Sequence, residues 1–141
     1  MIVYADSSFI VSIYITDSHS PEARRRVREA SSLILTPFHR AEWAHALAQH
    51  QFRGDLTTDA ARRMNAQFIS DESTGLFHVS SVPENAFELC ADLARRHGPT
   101  LAMCTLDSLH VACALELKAD RFWTFDDRQA KLAKAQGMRV L

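Results

Sequence analysis

The opening residues, MIVYADSS (1–8), decide how the rest of the chain is read. Ile2, Val3, Tyr4 and Ala5 make a short apolar run of the kind that forms a buried strand. It stops on Asp6 and two serines. Near the other end, RFWTFDD (121–127) repeats the arrangement, an aromatic run ending on Asp126 and Asp127. A strand suited to burial that finishes on carboxylates brings those acids to a rim and not into a core.

Between these two stretches short apolar runs alternate with longer helical patterns. SSFIVSIYI (7–15) is β-branched and fits strand or helix. Ser7 as a cap, with Phe9, Ile10, Ile13 and Tyr14 on one face, favours helix. SHSPEARRRVREA (18–30) reads as a helix capped by Ser20 with Pro21 in its first turn, and LIL (33–35) as a short buried strand. Thr36 and Pro37 repeat the cap-and-proline start for a helix to about Phe52. A further helix is expected from Thr58 to Asp71, a strand over LFHVS (76–80), and a helix from Pro83 to near Gly98. TLDSLHVACALEL (105–117) is helical, RFWTF (121–125) a strand, DRQAKLAKAQ (127–136) a helix stopped by Gly137, and MRVL (138–141) a last strand. Strands separated by helical crossovers predict an α/β fold with a parallel sheet covered on both faces, within a single domain over 1–141. Ligands of such sheets bind beyond the carboxyl ends of the strands.

The bulk numbers agree with one globular domain. The chain has 141 residues, 47% hydrophobic and 23% charged, with a formal charge of −1, so no global basic field marks a nucleic-acid partner. Cys90, Cys104 and Cys113 show no CxxC spacing and fit small buried thiols in a reduced cytoplasm. The apolar start lacks a basic n-region, and no stretch is long and apolar enough to span a membrane.

Two more acids stand among apolar neighbours: Glu42 in FHRAEWAHAL (38–47) and Asp107 in CTLDSLHVACAL (104–115). In a parallel sheet helix N-termini and strand C-termini face the same edge, so Asp6, Glu42, Asp107 and Asp126 can converge. Each also has an ordinary reading. Asp107 suits a helix dipole, Asp126 or Asp127 a helix cap, Glu42 a pair with Arg40 or His45, and Asp6 a turn. Converged carboxylates repel by about 4 kcal/mol per ionised pair at 4 Å and an effective dielectric near 20. They therefore share protons or hold a cation, and oxygen ligands favour Mg²⁺ or Mn²⁺. Such ions activate water and clamp the oxygens of a phosphodiester.

YADSSFIVSIY (4–14), TPFHRAEWAHAL (36–47) and the block from Thr105 to Leu141 resemble the PIN-domain ribonucleases of the VapC toxin type, over essentially the whole chain. The resemblance implies a three-layer α/β/α sandwich with a central parallel sheet. It implies an endoribonuclease toxin in which Asp6, Glu42, Asp107 and Asp126 bind divalent metal and cleave RNA. The mechanism expected on that basis has Asp6, Asp107 and Asp126 holding one Mg²⁺, with Glu42 completing the site or helping a second ion. A carboxylate such as Asp107 takes the proton of a metal-activated water. Ser8 or Thr124 supplies a nearby hydroxyl. Asp126 matches the fourth acid, and Asp127 reads as an N-cap or first-turn acid with an outer-shell role open to it. A homodimer silenced by a cognate antitoxin follows from the same resemblance.

Other readings compete. EWAH (42–45) and DSLH (107–110) carry the acid-x-x-His spacing of di-iron bundles, which the interleaved strands oppose. A phosphoaspartate enzyme would want a second acid two residues after Asp6, where Ser8 stands. A non-catalytic protein-binding module with a degenerate metal site stays open. The arginines of EARRRVRE (22–29), Arg62 with Arg63, and Arg95 with Arg96 fit solvated helix faces or an RNA track, and Trp43 and Trp123 fit core packing better than base stacking.

Overall fold

Every run read above as a strand pairs into one sheet. In the computed structural model, which describes residues 1–141, strands β1 (Ile2–Ala5), β2 (Ser32–Leu35), β3 (Phe77–Val79), β4 (Arg121–Trp123) and β5 (Arg139–Val140) form a five-stranded sheet of order β3-β2-β1-β4-β5. All four pairings are parallel. Helices α1 (Ser7–Tyr14), α2 (Ser20–Val27), α3 (Pro37–Arg53), α4 (Thr58–Ser73), α5 (Asn85–His97), α6 (Thr105–Glu116) and α7 (Asp127–Ala135) make the crossovers.

Strand alternation divides the core. Val3, Ala5, Leu33, Leu35, Phe77 and Trp123 point to one face, where Phe9 and Ile10 of α1, Ala23 of α2, Trp43 and Leu47 of α3 and Ala61 and Phe68 of α4 cover them. Tyr4, Ile34 and Phe122 point to the other, under Cys90 and Leu93 of α5, Val111 and Cys113 of α6 and Leu132 of α7. The result is the expected three-layer sandwich, with the ambiguous first segment a helix.

Several boundaries and caps differ from expectation. Asp6, not Ser7, caps α1, accepting the Phe9 N–H. His19 stands at the N-cap of α2 without a side-chain bond, while Ser20 is the first helical residue and its hydroxyl accepts the Asp17 N–H. Strand β4 ends at Trp123, two residues early, because its partner β1 ends at the paired Ala5. Strands β3 and β5 are likewise shorter than their apolar runs, and α5 starts at Asn85, after Pro83. Thr36 caps α3 as expected, and Gly54 ends it with φ 81°, a left-handed conformation in which glycine meets no Cβ penalty.

The strand order fixes where a site can form. From β1 the chain winds outward through β2 to β3, then returns to the far side of β1 as β4 and β5. The order therefore reverses between β1 and β4, and the crevice beyond their carboxyl ends is the topological switch point. Asp6 and Asp126 follow those two strands.

Candidate active site at the sheet switch point

Asp6 leaves the sheet still tied to it, its N–H donating to the Trp123 carbonyl at 2.9 Å. Its carboxylate is buried, at 5% exposure. Oδ1 accepts the Phe9 N–H at 2.8 Å, and Oδ2 accepts the Ser8 and Thr124 hydroxyls, each at 2.9 Å. Burial pushes the Asp6 carboxyl above the usual carboxylate range, with these donors and His110 opposing it in part. No lysine or arginine pairs with it. Both hydroxyls singled out from the sequence thus serve the first acid.

Thr124 also links the two strand-end acids. While it donates to Asp6, its Oγ1 accepts the Asp126 N–H at 3.0 Å. Asp126 Oδ1 caps α7 by accepting the Arg128 and Gln129 N–H groups at 2.9 Å, and Oδ2 lies 3.7 Å from the Arg128 guanidinium. The cap is Asp126, and Asp127 is the exposed first residue of α7.

Glu42 comes from α3. That helix is fastened to β1 by His39, whose Nδ1 accepts the Thr36 N–H at 3.0 Å and whose Nε2 meets the Ala5 carbonyl at 2.9 Å. With Nδ1 accepting, Nε2 carries the proton and donates. Burial, then the neighbouring His110, push the His39 pKa down to about 3. One turn on, Glu42 Oε2 meets His110 Nε2 at 2.6 Å. His110 is buried on α6, its Nδ1 2.9 Å from the Tyr4 hydroxyl and its Nε2 3.2 Å from that of Ser7. Burial raises the Glu42 carboxyl, but the hydrogen bond and charge of His110, with Ser7, outweigh it and hold Glu42 below the usual range.

A cavity of about 820 Å³ opens over this edge. Ser7, Ser8, Glu42, His45 and Asp126 line it, together with Phe125 and Leu106. Asp6 lies next to the Ser7 and Ser8 wall. Asp107, in the first turn of α6, does not line it, and its Oδ2 accepts the Cys104 thiol at 3.0 Å. No three His, Cys, Asp or Glu side chains are drawn into a closed ligand cluster. The donor chemistry nevertheless fits a hard divalent cation. The open oxygens are carboxylates and hydroxyls, and the buried Asp6 has no fixed cation against it.

Sequence reasoning and structure part company at identifiable points. Glu42 pairs with neither Arg40 nor His45: Arg40 pairs with Glu72, and His45 Nδ1 lies 2.9 Å from the Ala41 carbonyl. Cys104 is exposed, whereas Cys90 and Cys113 are buried. His110 holds Glu42, whereas the DSLH spacing had marked it only as an iron ligand or as a histidine within the helix packing. Trp43 and Trp123 are buried in the core, and Arg25, Arg26 and Arg96 pair with carboxylates on their own helix faces. No helix is long and apolar enough to cross a membrane.

The chain is 29% identical over 141 residues to Ribonuclease VapC46 of Mycobacterium tuberculosis, covering 99% of this chain and 95% of that one. The VapBC2 structure from Rickettsia felis, bound to a DNA fragment from their promoter, matches with a TM-score of 0.71 at 11% identity, over 100% of this chain and 98% of that one. Mycobacterium tuberculosis VapC20, a sarcin–ricin loop cleaving toxin, matches with a TM-score of 0.67 at 15% identity, over 92% and 93% of the two chains. At such identities the structural likeness speaks for the fold. The PIN domain family model matches residues 3–135, from the first strand through the last helix, and the chain belongs to the PIN-domain family.

Proposed function

We propose that the protein is a divalent-metal-dependent endoribonuclease, the toxin of a toxin–antitoxin pair acting in the cytoplasm. One observation carries the reading: the Thr124 hydroxyl joins Asp6 and Asp126 at the reversal of strand order. The names of the two mycobacterial relatives, a ribonuclease and a sarcin–ricin loop cleaving toxin, support it.

In this proposal Asp6, Glu42, Asp107 and Asp126 would hold Mg²⁺ or Mn²⁺, and Asp107, now bonded to Cys104, would be the outermost of the four. When bound, such an ion polarises a phosphoryl oxygen and acidifies water. The rest of the work falls to the chain. Ser8 and Thr124 orient Asp6, and His110 aims Glu42 at the cavity. Asp107, at the positive end of α6, takes the proton of the attacking water. Asp127 serves at most from behind Asp126. The cognate antitoxin and a second copy of the chain enter on the strength of the family.

The test is RNA 5′-end mapping after brief expression in bacteria, comparing wild type with Asp6→Asn. New ends at a few sites, absent in the variant, are expected. Identical maps from folded, antitoxin-free protein supplied with Mg²⁺ would leave a non-catalytic binding module as the better account.

A further inference from the structure

Three aromatic rings lie nearly parallel beside the carboxylates. Phe9, fully buried, stacks on Phe125 with centroids 5.0 Å apart and an interplanar angle of 14°. Phe125 in turn stacks on His19 at 4.3 Å and 9°. The column starts in the core and ends on an exposed imidazole. His19 and Phe125 line the same cavity as Glu42 and Asp126, and Phe125 directly precedes Asp126.

The backbone that carries the outer ring is fixed within its own loop, and the ring itself rests on Phe125. The His19 N–H donates to Asp17 Oδ1 at 2.8 Å, while Asp17 Oδ2 accepts the Ser12 hydroxyl at 2.6 Å. The Ser20 hydroxyl accepts the Asp17 N–H at 2.9 Å. Core packing does not call for this arrangement, since His19 is exposed and adds little buried area. A preset flat ring at the wall of a polar cavity costs little entropy to use and suits one kind of occupant, another flat π-system.

We infer that His19, backed by Phe125 and Phe9, is a stacking platform for a nucleobase of the RNA adjoining the phosphate addressed by the acids. The inference rests on the ribonuclease reading and adds to it a substrate-positioning residue. Stacking accepts any base, so the platform fixes the position of an unpaired nucleotide without reading its identity. RNA with a splayed or single-stranded nucleotide at the cut is the class of substrate it fits.

The test uses a short single-stranded RNA spanning the mapped cleavage site, with 2-aminopurine placed in turn at each flanking nucleotide. It is bound to catalytically silent Asp6→Asn protein with Mg²⁺. One position is expected to lose fluorescence on binding. Adding His19→Ala should restore the fluorescence and weaken binding roughly 5- to 150-fold, the range of one base stack. Phe in place of His19 should rescue both. In the active protein His19→Ala should raise KM by a similar factor with kcat largely kept. RNA that binds with the same affinity and quenching in both proteins would overturn the platform and leave the ribonuclease reading standing. The same holds if His19→Ala weakens only capture of a protein partner. The absence of any RNA binding, by the wild-type protein as well as by Asp6→Asn, would overturn both.

Discussion

At the scale of single residues, Glu42 and His110 carry the sharpest expectation. His110 contacts a tyrosine, a serine and a glutamate with two ring nitrogens, all in or beside the core. His110→Ala leaves the buried Tyr4 hydroxyl without that partner, a cost of about 1–3 kcal/mol. It also releases Glu42, so RNA cleavage should fall by about tenfold or more. Glu42→Gln keeps a side chain that can accept from His110 but removes the charge. It should abolish cleavage while moving stability by less than about 1 kcal/mol. Urea denaturation alongside a single-turnover cleavage assay separates the two outcomes. Equal loss of stability in both variants would make Glu42 a structural residue. The sequence alone could not pair these side chains, because they lie 68 positions apart and meet only through packing between layers. What it did show was that each acid was out of place among its apolar neighbours.

At the scale of elements, the junction between β1 and α3 sets the distance from Asp6 to Glu42. His39 makes that junction, and its pKa of about 3 keeps it neutral. An unfolded histidine titrates near 6.5. Between the two values the unfolded chain binds the extra proton, so stability is present above about pH 6.5 and is lost as pH falls toward 3. The slope from this group approaches about 1.4 kcal/mol per pH unit within that window. Urea denaturation at pH 7 and pH 5 should show the loss in wild type. His39→Gln should be less stable at pH 7 by about 1–3 kcal/mol but nearly free of that slope. An unchanged slope would assign the acid sensitivity elsewhere. The elements themselves were legible because apolar runs and proline or threonine starts are local signals. Their ends were less so. Thr124 and Phe125 look like strand, yet Thr124 turns to serve Asp6 once β1 has run out of residues to pair. Asp6 and Asp126 each cap a helix and edge the site; the cap at Asp126 was legible, while that at Asp6 was masked by Ser7, the more familiar cap residue beside it.

At the scale of the whole molecule, the fold carries a standing electrostatic cost at one edge. The net charge is only −1, so the cost is local. Asp6 is buried with its pKa raised, chiefly by desolvation. For a carboxyl shifted in that direction the folded state binds the extra proton, so its contribution falls as pH rises from the unfolded pKa through the folded one. The ionised form is the one that burial disfavours. Asp6→Asn removes that charge and keeps an oxygen able to cap α1, with the Ser8 and Thr124 hydroxyls turning to accept from its amide nitrogen, so Tm should rise by about 2–6 °C. Divalent cation should relieve the same cost by another route. Mg²⁺ at about 100 times its dissociation constant adds about 2.7 kcal/mol to the folded state, on the order of 5–10 °C in Tm. If both act on one carboxylate, they cannot add. Thermal unfolding of wild type and Asp6→Asn, each with Mg²⁺ and with chelator, closes a cycle in which the ion stabilises only the wild type. Equal Mg²⁺ shifts in both proteins would place the ion away from Asp6 and remove the metal from the switch point. A shift confined to the wild type would tie the buried charge, the reversal of strand order and the ion to one site.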